Sequence, residues 1–144
     1  VQPEASARCQ LRFSADTDHT RFLPALRAHL DAHGFQQIKI SAVQDHFFPA
    51  WRTDPDNPWV DWAVSSVART TRTTPLVVPN SAGGLPSELF GRALGCPILW
   101  IPHSYSGCRQ HGPDEHVLLP ITREGLSIMT GIFWDLGEAQ GCPQ

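Results

Sequence analysis

The chain has 144 residues, 41% of them hydrophobic, and 11 Lys and Arg against 14 Asp and Glu leave a net charge of −3. That length suits one compact domain or parts of two, and scattered basic residues argue against a nucleic-acid surface. No apolar run approaches the roughly 18 residues of a membrane span, and the opening VQPEASARCQ lacks the basic, apolar, small-residue order of a secretory signal. The four cysteines, Cys9, Cys96, Cys108 and Cys142, have no CxxC spacing and are read as reduced thiols of a cytoplasmic protein. The chain opens at Val1 and its only methionine is Met129, so it is expected to be a piece of a longer protein.

In residues 7–13, Cys9, Leu11 and Phe13 alternate with Arg8, Gln10 and Arg12, the period of a half-buried strand that puts Arg12 on the polar face. Phe22, Leu23, Leu26 and Leu30 recur at helical spacing between Thr20 and His33, with capping side chains ahead and Gly34 as the stop. Residues 35–43 alternate again through Ile38, Ile40 and Ala42, which predicts strand, helix, strand. One helix and two strands bury too little to stand alone, so more sheet is expected ahead of them.

Residues 46–58, HFFPAWRTDPDNP, hold three prolines and no periodicity, as a linker does. Asn57 can cap a helix that starts at Pro58 and carries Trp59, Trp62, Ala63 and Val67 as its apolar stripe. Residues 76–79 read as a short apolar strand, 86–94 as a short helix and 97–101 as a second apolar strand, an order that favours parallel pairing in an α/β sheet. A last helix is predicted over 122–136 with Leu126, Met129, Phe133 and Leu136 on one face.

Two loops carry the chemistry. Residues 103–116, HSYSGCRQHGPDEH, would sit at the carboxyl end of a parallel strand, the edge where open α/β sheets bind ligands. They bring His103, Cys108, His111, Asp114, Glu115 and His116 into one stretch, and neutral imidazole is the commonest protein ligand for zinc. His111 is the metal candidate; His103 and His116 are read as surface or hydrogen-bonded residues. The other loop, residues 80–86 (NSAGGLP), pairs Gly83 with Gly84 and lets backbone N–H groups approach a substrate.

The run from Leu94 to Gly137, LGCPILWIPHSYSGCRQHGPDEHVLLPITREGLSIMTGIFWDLG, resembles the C-terminal signature of the zinc metallopeptidase family of aminoacylase, carnosinase, carboxypeptidase G and succinyl-diaminopimelate desuccinylase. The resemblance continues through the earlier segments and covers nearly the whole chain. It implies that residues 1–48 are the second half of an α+β lid, or dimerisation, domain, 49–58 a linker, and 59–144 the C-terminal part of a phosphorylase/hydrolase-like α/β catalytic domain with parallel strands. It further implies that His111 ligates one of two zinc ions, or another divalent metal such as Mn or Co, and that Glu115 fixes its loop. Arg12, in CQLRFS, would bind the substrate carboxylate, which the guanidinium fork suits. Gly83 and Gly84 would line the substrate, with Gly84 standing where the family's PNLGGSLP has serine.

The resemblance places the family's His-x-Asp motif, bridging aspartate, paired glutamates and lid histidine upstream of Val1, and assigns none of them to this sequence. The resemblance therefore implies no catalytic residue within the chain, an inactive fragment when isolated, and a requirement for an N-terminal catalytic segment. The complete enzyme would be a homodimer hydrolysing an amide bond of a dipeptide or N-acyl amino acid. Two other readings compete: a dimerisation or binding module without catalysis, and a local zinc site formed by Cys108, His111 and His116.

Overall fold

The structure, a computed structural model, describes residues 4–43, 48–81, 83–138 and 142–143. Its regular elements are α1 (Phe22–Ala32), α2 (Pro58–Thr71), α3 (Ser87–Leu94) and α4 (Leu119–Gly137), with single 3-10 turns at His19–Arg21 and Ser106–Cys108. Residues 46 and 47 of the expected linker and Ala82 of the glycine loop lie outside the described residues.

The helices arise where the spacing predicts them, for reasons visible at their ends. Asn57 caps α2: its side-chain oxygen accepts from the Trp59 N–H at 3.0 Å, and Pro58 holds the first helical position. Ahead of α1, the Asp18 carboxylate accepts from the Thr20 hydroxyl at 2.6 Å and the Thr20 N–H at 3.1 Å. Those two bonds, the hydroxyl first, hold its carboxyl below the usual value. The α3 helix ends at Gly95 in the left-handed region (φ 65), and Glu88 pairs with Arg92 along it.

The expected α/β architecture is corrected: among the described residues there is no strand, so neither a strand-helix-strand lid nor a parallel sheet forms. A strand exists only through a neighbour that accepts its ladder, and here the backbone groups are engaged otherwise. In the 35–43 segment, the Phe35 N–H donates to the Leu30 carbonyl and the Ile38 N–H to that of Phe35. The carbonyls of Ile38 and Phe35 accept from the Arg27 guanidinium at 2.6 and 3.0 Å. In the 97–101 segment, the Thr53 hydroxyl donates to the Ile98 carbonyl and accepts from the Ile98 N–H, at 2.8 and 3.0 Å, satisfying both groups with one side chain. In the 76–79 segment Leu76 is 88% exposed, and in the 7–13 segment Leu11 is 62% exposed. Alternating and continuous apolar patterns are thus present without the partner strands that would read them.

The described residues group into two units: Val1–Arg52 with Ala82–Gly95, and Thr53–Ser81 with Cys96–Gln144. In the first, α1 packs on the preceding segment through an edge-to-face contact of Phe13 and Phe22, 5.0 Å between centroids. Its Gly91 lies against the indole of Trp51, where a Cβ would collide with the ring. In the second, α2 and α4 pack together around Val60, Ser66, Val67, Gly125 and Ile128, all buried.

The α4 face is not the one expected. Leu126 and Phe133 are 66% and 68% exposed, whereas Ile128 and Gly125, the latter against the His103 ring, are buried. A Cβ at Gly131 would strike the Thr70 side chain. Across this contact Asp135 accepts from the fully buried Ser66 hydroxyl and from Arg69, each at 2.6 Å. The Ser66 hydroxyl first, and the Arg69 guanidinium after it, hold the Asp135 carboxyl below its usual value. A carboxyl depressed in the folded state contributes stability above its unfolded pKa of about 3.9 and loses it as pH falls through the folded value. Asp135→Asn is therefore expected to be less stable at pH 7 and to lose less stability on acidification. Urea midpoints between pH 7 and 3 check this, and parallel curves for the two proteins would contradict it.

Candidate functional site

The loop between residues 103 and 116 belongs to the second unit and is shaped by an unusual run of backbone. Arg109, His111 and Asp114 have φ of 55, 64 and 59, three non-glycine residues in the left-handed region within six positions. Each costs on the order of 1 kcal/mol, and such residues persist where the surroundings over-determine them. Several contacts do so here. The Gly112 N–H donates to the Arg109 carbonyl at 2.8 Å, and the His116 N–H to that of Cys108 at 3.1 Å. The Arg109 guanidinium lies 3.5 Å from the Asp114 carboxylate.

His111 and Glu115 are brought together: the His111 backbone N–H donates to Glu115 Oε2 at 3.3 Å. The carboxylate thus anchors the backbone of the candidate ligand and leaves its exposed imidazole clear of hydrogen bonds to the described residues. His103 and His116 take other roles. The His103 ring packs at Gly125 of α4, so closely that a Cβ there would come within 2.5 Å of Nδ1. His116 is held on both sides, with Nδ1 2.9 Å from the Asp114 carbonyl and Nε2 2.8 Å from the Tyr105 hydroxyl. A carbonyl only accepts, so Nδ1 carries the proton and, in the neutral ring, Nε2 accepts from the tyrosine. Nothing in the sequence marked Tyr105 as the partner that engages His116.

Beside these residues an open surface depression of about 400 Å³ is lined by Ser104, Cys108, Gln110, Glu115, His116 and Val117. Glu115 is common to the wall of the depression and to the anchor of His111.

The donors fit a metal only in part. Among the described residues no three of His, Cys, Asp and Glu gather into a group that could hold a metal ion. Cys108 is buried and both ring nitrogens of His116 are engaged, so Cys108, His111 and His116 are not arranged as a local zinc site. His111 offers one imidazole, whereas a catalytic zinc takes three protein ligands.

The remaining candidates belong to the first unit. Arg12 is exposed, with Nη2 3.5 Å from Gln10 Oε1. Gly83 and Gly84 are exposed, and a Cβ at Gly84 would sit 3.6 Å from the Phe48 ring, an ordinary contact. Gly84 therefore tolerates a side chain, including the serine of the resembling motif. No helix among the described residues is long and apolar enough to cross a membrane. No protein-family model, curated protein or solved structure matches the chain.

Proposed function

We propose that this chain supplies His111 as one zinc ligand of a metal-dependent amidohydrolase acting on a dipeptide or N-acyl amino acid, the remaining ligands coming from other polypeptide. The observation that carries this reading is the presentation of His111. Its imidazole projects from a left-handed backbone (φ 64), and its own N–H is tied to the Glu115 carboxylate. A strained, carboxylate-anchored histidine beside an open depression is costly for a surface loop and purposeful for a ligand.

When bound, zinc would supply Lewis-acid polarisation of the scissile carbonyl. The chain's own residues bind and orient. His111 offers a ring nitrogen and Glu115 holds its backbone.

The exposed apolar surface supports a need for further polypeptide. Leu76, Phe133 and Trp134 are 88%, 68% and 70% exposed. A dimerisation module without catalysis would also cover that surface, and a homodimer is part of the proposal. The two are separated by assay. The chain alone is expected to release no amine from dipeptides or N-acyl amino acids, and the protein completed with the missing ligands to do so with zinc, manganese or cobalt. A completed protein that dimerises and holds zinc without hydrolysing either substrate class would leave the binding module as the better account.

A further inference from the structure

A pair of histidines lies in the first unit, and what it can bind is independent of the function proposed for the His111 loop. His29 and His33 stand four residues apart at the end of α1, both exposed, with ring centroids 4.1 Å apart and planes inclined by 32°. Residues at this spacing share one face of a helix. Two imidazole nitrogens held cis on one cation at about 2.0–2.1 Å sit roughly 2.8–3.0 Å from each other, and the neighbouring rings reach this when the exposed His29 side chain turns about χ2 to bring a lone pair toward His33 Nε2.

The tautomer favours it as well. His33 Nδ1 lies 2.7 Å from the His29 carbonyl, and a carbonyl only accepts, so Nδ1 carries the proton. The Nε2 lone pair of the neutral ring is then directed away from the backbone. Metal-ligating histidines are held in just this way, their other ring N–H donated to a carbonyl or carboxylate. The site also occupies the carboxyl end of the helix, where the macrodipole favours a cation. Of the nearest charges along α1, Asp31 lies two positions from each histidine and Arg27 two from His29, and the two pair at 2.7 Å.

We propose that His29 and His33 chelate a divalent transition cation, with copper(II) bound most tightly. Two cis imidazoles plus solvent suit its tetragonal preference, and copper stands highest in the Irving–Williams order. With two protein ligands the cation stays exchangeable, and it clasps the last turn of α1 to the residue that caps it.

Copper(II) binding to the full chain tests this, read by titration and by the nitrogen couplings in its electron paramagnetic resonance spectrum. The wild-type chain and His111→Ala are expected to bind one copper alike, with two equatorial imidazole nitrogens. His29→Gln and His33→Gln are each expected to weaken binding at least tenfold and to lose one nitrogen. Both side chains are exposed, and unchanged helicity by circular dichroism accompanies the loss. Equal affinity in the wild-type chain and both glutamine variants, or a loss confined to His111→Ala, would overturn the proposal.

Discussion

His111→Ala in the completed enzyme is expected to remove one zinc ion and to lower amide hydrolysis at least 100-fold. Losing a residue that merely orients a metal ligand typically costs about 10–100-fold in affinity or activity, and His111 is proposed as a ligand itself. The effect should be confined to the metal. The His111 side chain is exposed, its ring is not hydrogen-bonded to the described residues, and the bond to Glu115 uses its backbone N–H, which alanine keeps. His111→Gly separates the two roles of the position. Glycine adopts φ 64 without strain, so this variant should be at least as stable as the wild type and equally deficient in zinc. Metal content and amine release are the readouts. A His111→Ala enzyme that retains both zinc ions and full activity would remove His111 from the site.

The second large effect is on stability. Gly131→Val places a branched side chain where a single Cβ already meets Thr70, at the contact of α2 and α4. Overpacking of this kind costs about 1–3 kcal/mol, and a β-branched residue has few rotamers with which to escape it in a helix. A loss near the upper end, about 3 kcal/mol, is expected, which for a unit of this size lowers the thermal midpoint by about 12–24 °C. Gly137→Ala is the matched control. Nothing lies within 4 Å of its Cβ position, at the end of the same helix, so the better helix propensity of alanine should leave stability unchanged or raised by up to about 1 kcal/mol. Equal midpoints for Gly131→Val and the wild type would show that the two helices do not depend on this close approach.

The contrast between these glycines explains what the sequence could and could not disclose. Helix positions were legible because their signals are local: Asn57 and Pro58 open α2, and Gly95 closes α3 in a left-handed turn. The buried face of α4 was not, since a hydrophobic stripe is drawn by large residues such as Leu126 and Phe133, whereas close packing selects Ser66, Gly125 and Gly131. The strands failed for a related reason. Alternation in 7–13 and 35–43 states which residues would share a sheet face but not whether a neighbouring strand exists. In its place Arg27 takes the carbonyls of Phe35 and Ile38, and Thr53 takes both backbone groups of Ile98.

At the candidate site, the residue types of the 103–116 loop were legible and their arrangement was only partly so. Asp114 and His111 are residue types enriched at φ near 60, but nothing in the sequence marks Arg109 for it. The engagement of His116 by Tyr105 and the Asp114 carbonyl likewise depends on how the loop folds back on itself.

Zinc titration of the isolated chain tests most directly whether its metal site is shared. One imidazole with solvent cannot hold the ion firmly, so binding through His111 should be weaker than micromolar and should become tight only when the completing ligands are added. Tight one-to-one binding by the chain alone, lost on substitution of Cys108, His111 or His116, would contradict the account and establish a local zinc site in its place.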